Sequence, residues 1–121
     1  MQGEKKVKAF RLLLLAQVTG LLVYTGLVGI AHGWSLLPVF LNDIAAMTWP
    51  GQFNLDFTMF LSLSGLWLAW RNHFSAGGLV LGLVGFFGGM LFLAPYLLFV
   101  SFQEKGDIRA VLLGGKRAAA R

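Results

Sequence analysis

Apolar residues in this chain come in long runs rather than stripes, and the charged positions fall almost entirely between the runs. The first run, residues 12–31, holds no charge, and its main polar side chains are Gln17, Thr19, Tyr24 and Thr25. At about 1.5 Å per residue it is about 30 Å long, the thickness of a bilayer's hydrocarbon core. A second run, residues 53–70, begins after Trp49-Pro50-Gly51, which predicts a turn. It would be about 27 Å long by the same rise. The third, residues 77–102, is uncharged and would measure about 39 Å if straight, so it has to tilt or bend, and Pro95 is the expected bend.

The connecting stretches have patterns of their own. Leu37, Phe40, Leu41, Ile44 and Met47 repeat at helical spacing, which predicts a short interfacial helix over about 36–47. Ser35 would cap it, Pro38 is tolerated in its first turn, and Trp34 and Trp49 would sit at headgroup level. Arg71-Asn72-His73-Phe74-Ser75 is a tight basic connection, so the second and third runs are expected to be antiparallel neighbours. After the third run, Ile108, Val111 and Leu112 mark a short amphipathic helix ending at Gly114-Gly115, followed by a frayed basic end. The expected fold is all-α: a polytopic integral membrane protein with three transmembrane helices, an interfacial helix and a short amphipathic tail. Residues 1–121 form one membrane domain.

Composition agrees with this pattern. The chain is 57% hydrophobic and 12% charged, against about 25% charged in soluble domains. A basic start followed by an apolar run also describes a signal peptide, but residues 12–31 exceed a typical signal core, so a retained span is expected. Cysteine is absent, which excludes disulfides, thiolate metal sites and cysteine nucleophiles. The net charge of +5 is concentrated at the two ends and at Arg71. Anionic lipid headgroups, not nucleic acid, are the expected partners of basic segments beside apolar helices. Lys5, Lys6, Lys8 and Arg11 precede the first run and no Lys or Arg lies in residues 32–52, which puts the N-terminus in the cytoplasm; the membrane itself is expected to be a bacterial inner membrane. Three spans conflict with that rule at the other end, because Lys105, Arg109, Lys116, Arg117 and Arg121 would then lie outside.

Small residues supply the next signal. Gly29 and Gly33 are four apart, as are Ala16 and Gly20, and Gly78/Gly82 and Gly85/Gly89 are both G-x-x-x-G pairs. Such spacing lets helix backbones approach closely in lipid, where packing rather than hydrophobicity drives association. Thr58, Ser62, Gly65 and Ala69 make a further small face, expected to meet the third run. No Lys-Ser/Thr pair or strand accompanies the glycines, so they do not form a nucleotide-binding loop.

Candidate chemistry is sparse. Asn54 is a candidate N-cap, which would place Asp56 in the first turn of the central helix as a dipole-stabilising carboxylate. The other reading makes Asp56 an intramembrane acid handling protons, cations or a polar headgroup. Asp43, Gln52, Asn54 and Asp56, near His32, are the one polar cluster expected at the outer face, a candidate lipid-headgroup or ion site. His32 and His73 are expected on opposite sides and so cannot share a metal. His32, beside Gly29, Gly33 and Trp34, is the better single axial ligand for a haem or chlorophyll; without that pigment no cofactor is implied. Paired carboxylates, a Ser-His-Asp arrangement and H-E-x-x-H spacing are all missing, so no enzyme is expected.

Phe53-Asn54-Leu55-Asp56-Phe57 and Trp70-Arg71 complete a layout of N-terminal span, outer amphipathic loop, acidic opening of the second span and basic turn. This layout resembles small bacterial three-span membrane proteins of uncharacterised function, a resemblance that implies the architecture and no activity. The expected role is a non-enzymatic accessory or assembly subunit, or a homo-oligomer, acting through its glycine faces. A small transporter or lipid- or ion-binding protein centred on Asp56, and a pigment subunit using His32, are the alternatives.

Overall fold

The structure, a computed structural model, describes residues 2–120, and all regular secondary structure among them is helical. Seven helices follow in order: α1 (Gln2–His32), α2 (Leu36–Ala46), α3 (Trp49–Arg71), α4 (Ala76–Gly88), α5 (Met90–Gln103), α6 (Ile108–Leu113) and α7 (Gly115–Ala119). Among the described residues, α1 is the one helix that is long and apolar enough to cross a membrane by length and composition, with a mean hydropathy of 1.9 in its most apolar stretch.

The helix α2 lies where the interfacial helix was expected, but Ser35 at its N-cap makes no capping hydrogen bond through its side chain. The helix packs on the start of α3. A Cβ at Gly51 would collide with the Asp43 carbonyl, so only a glycine lets the two backbones meet there. Trp34 and Trp49 are both exposed. The start of α3 departs from expectation. Trp49-Pro50-Gly51 is its first turn and not a bend before it, with Thr48 at the N-cap. Proline needs no N–H partner in a first turn and its fixed φ suits one, so Pro50 opens the helix. Asn54 is therefore inside α3 and does not cap it, and Asp56 lies in the third turn rather than the first.

Helices α3 and α4 are antiparallel and in close contact. Gly65 and Gly82 meet backbone to backbone: a Cβ on either would lie 2.8 Å from the other's carbonyl oxygen. Ala69 is buried at the same contact, while Ser62 from the same expected face is exposed. The Ser75 hydroxyl caps α4 by accepting from the Gly78 N–H at 3.0 Å.

The third apolar run is two helices and not one. It breaks at Gly89 (φ 56°, ψ −141°), a conformation essentially confined to glycine. A Cβ there would also press on the Phe57 ring at 3.2 Å. Pro95, the expected bend, lies inside α5. Beyond Gly89 the chain returns toward its starting end. Phe92 packs back against Gly88, and the Tyr96 hydroxyl reaches Asn72, beside the start of α4. The pair α4–α5 is a helical hairpin whose two open ends both lie near Arg71.

The start of α1 joins that same end. Arg11 donates to the Ser101 hydroxyl and carbonyl oxygens of α5, both at 3.0 Å, and Val7 and Leu14 are buried. The core is therefore concentrated at one end, around Leu68, Ala94, Val100, Ser101 and Val111. Beyond Leu15, α1 is largely uncovered as far as Trp34, whose ring folds over Gly29. The tail is not a frayed surface segment. Asp107 caps α6, Ala110 and Val111 are buried, and the short helix α7 follows Gly114.

Candidate functional site

The densest polar arrangement among the described residues centres on Arg71, the last residue of α3 and only 7% exposed. Burying a guanidinium is costly unless its charge and donors are matched. Here they are. Nε donates to the Val111 carbonyl at 2.6 Å, and Nη2 donates to the Ala110 carbonyl and to Glu104 Oε2, both at 3.2 Å. Nη1 donates to the Tyr96 hydroxyl oxygen at 3.3 Å, which also accepts from Asn72 Nδ2 at 3.0 Å.

Aromatic rings complete the clamp. Tyr96 stacks on Phe92 and meets Trp67 edge-on, with centroids 5.8 and 6.2 Å apart. The Trp67 indole N–H donates to the Leu112 carbonyl at 3.0 Å. Arg117 lies over the Trp70 ring, 4.0 Å from its centroid, and donates to the Trp70 carbonyl. Four of the five N–H groups of the Arg71 guanidinium are engaged within the fold, so this site serves mainly to hold the tail and the hairpin to α3. The sequence pattern places Arg71 in a basic turn and does not disclose its burial. The available signal was its position as the lone cation between two apolar runs.

The expected polar cluster is dispersed. Asn54 donates to the Phe40 carbonyl at 3.2 Å, fastening α2 to α3. Asp43 is half-buried at the same junction, and Gln52 is exposed beside Met47, Thr48 and Trp49. Asp56 is exposed and shares none of these contacts. Two residues along a helix turn through about 200°, so Asn54 facing α2 directs Asp56 elsewhere. Among the described residues no three His, Cys, Asp or Glu side chains come together as a metal site.

His32 ends α1 and borders an open cavity of about 520 Å³ with Thr25, Gly29, Trp34 and Val39. His73 is exposed in the α3–α4 turn, at the opposite end of the molecule from His32. Of the glycines expected to face partner helices, Gly78, Gly82, Gly85 and Gly89 are occupied within the chain. They lie against Asn72 and Ala69, Gly65, Leu68, and Phe57 respectively. Gly29 is covered by Trp34, and Gly33 (φ 85°) lies just past the end of α1. Gly20 and Gly26 have open space beside them.

No protein family, curated protein or solved structure matches this chain.

Proposed function

We propose that this chain is a small, non-catalytic integral membrane protein that serves as an accessory or assembly subunit through the uncovered side of α1. In this reading α1 crosses the bilayer and α3, less apolar than α1 but 23 residues long, about 34 Å at about 1.5 Å per residue, returns across it. Helix α2 lies at the far surface, and α4–α5 enters from the basic side and returns to it. The hairpin helices have 13 and 14 residues, about 20 Å each at about 1.5 Å per residue, too short to cross a core of about 30 Å.

Charge supports the reading. Lys5, Lys6, Lys8, Arg11, Arg71, Lys105, Arg109, Lys116 and Arg117 all belong to elements gathered at one end, and Arg121 lies outside the described residues. With a returning hairpin the positive-inside rule is met by both termini at once, which three full spans do not allow.

The observation that carries the role is α1 itself. Only 11% of its most apolar stretch is buried, whereas the core helix of a soluble protein would be covered on most sides. Ala16 and Gly20 leave a small-residue strip on this surface, while the Gly78/Gly82 and Gly85/Gly89 pairs are used inside the fold. Gentle extraction and native mass measurement test the proposal. A complex heavier than the 13.2 kDa chain that dissociates on Gly20→Leu, with helicity unchanged, is expected. A colourless monomer that is indifferent to Gly20→Leu overturns it.

A further inference from the structure

Between the first turns of α1 and the turn that follows α5 lies a cleft of about 460 Å³, bordered by Glu4, Val7, Lys8, Arg11, Lys105 and Gly106. Its walls are fixed by the fold. Gly106 (φ 80°) packs on buried Val7, where a Cβ would come within 3.3 Å of the valine side chain. The Gly106 N–H donates to the Ser101 carbonyl at 2.8 Å, and Lys105 takes φ 55°, a left-handed conformation uncommon for lysine. Arg11 is held by its two bonds to Ser101, itself fully buried, with its guanidinium 3.8 Å from the Phe102 ring centroid. Those bonds use two of its five N–H groups.

Three cations from two separate elements thus border one cleft, against the single carboxylate of Glu4. Like charges bordering one cleft repel, and an anion between them relieves the repulsion. Lysine and arginine together suit phosphate, as point charge and as planar fork. Along α1, Leu12 follows Lys8 and Leu15 follows Arg11 by one helical turn, and both leucines are exposed, as are Phe99 and Phe102 on α5. The cleft therefore opens directly above apolar surface.

We propose that this cleft binds a phosphate group, either that of an anionic phospholipid headgroup or free phosphate. The lipid source rests on the membrane reading above; the phosphate chemistry does not. The test compares wild type, Lys8→Gln/Lys105→Gln, and the charge-matched control Lys5→Gln/Lys116→Gln. Each is measured by native mass spectrometry of lipid retained from phosphatidylcholine nanodiscs containing phosphatidylglycerol, and by ³¹P line broadening of inorganic phosphate with detergent-purified protein. For a headgroup site, phosphatidylglycerol affinity falls about 25-fold in the cleft variant, taking about fivefold per lysine, and much less in the control. Phosphate broadening lost in the cleft variant alone, with lipid retention equal in all three proteins, assigns the site to free phosphate. Equal losses in both variants, or no difference in either measurement, overturn the proposal. Flotation of wild type with vesicles of phosphatidylcholine alone tests membrane insertion separately, so that failure there is not mistaken for failure of the cleft.

Discussion

Arg71 donates its Nε–H to the Val111 carbonyl oxygen at 2.6 Å, joining residues 40 positions apart across the basic end of the molecule. The same guanidinium holds Glu104 and the Tyr96 hydroxyl, so one side chain ties α3 to the hairpin and to the tail. Removing it leaves a partly buried Glu104 and the Val111 carbonyl without a donor, while the Ala110 carbonyl keeps the Gly114 N–H. Arg71→Ala is expected to cost about 3–5 kcal/mol and to free residues 104–119 from α3. Faster tryptic cleavage at Lys105 and Arg109 would report that release. Arg71→Lys keeps the charge but lacks the planar fork, and is expected to restore the protection only in part.

At the α3–α4 contact, Gly82→Leu forces apart backbones that now meet at glycine. A destabilisation of about 1–3 kcal/mol is expected, read as a lower midpoint in denaturant-induced loss of helicity. Gly20→Leu, which has open space beside it, should leave that midpoint unchanged. Equal effects from the two substitutions would contradict the division between internal and outward glycines.

Gly89 and Pro95 separate two accounts of the third apolar run. Gly89→Ala places a Cβ in a conformation that alanine rarely adopts and is expected to cost about 1–3 kcal/mol. Pro95→Ala returns an N–H to the interior of α5 and should be neutral or stabilising. The reverse ranking would mean that the run turns at proline after all.

Because the chain has no cysteine, single cysteines report sidedness cleanly. With a membrane-impermeant maleimide, cysteines at His73, Lys105 and Lys116 are expected to label from the same face, and one at Met47 from the opposite face. Labelling at Lys105 and Lys116 from the Met47 side would restore three full crossings.

Asp56→Asn bears on the remaining candidate chemistry. The side chain is exposed and shares none of the contacts at the α2–α3 junction, so a stability change within about 0.5 kcal/mol is expected. Thermal unfolding followed by circular dichroism checks it, and a larger loss would reveal a structural role for the carboxylate.

The residues explain what the sequence disclosed and what it hid. The all-helical class, the helix over residues 36–46 and the antiparallel α3–α4 pair follow from local pattern, since apolar spacing and a five-residue connection leave few alternatives. Glu104 and Arg71 are 33 positions apart, and nothing in their neighbourhoods declares that they meet. Gly89 was hidden for another reason. Its spacing from Gly85 also fits helix packing, and its turn becomes evident only where Phe57 leaves no room for a Cβ. Pro50 misled through its context: beside glycine it predicts a bend, yet it is equally at home in a first helical turn. The phosphate cleft needs the ends of α1 and α5 in one place, which no local pattern supplies.

The hairpin also bears on how such a protein is made. On the proposed topology no lysine or arginine need pass through the bilayer during synthesis, since residues 32–52 contain neither. The hydrophilic cargo to be translocated reduces to one short loop with Asp43 as its sole acid. Insertion then requires moving a single weakly charged segment, while every cationic part stays in the compartment where it was translated.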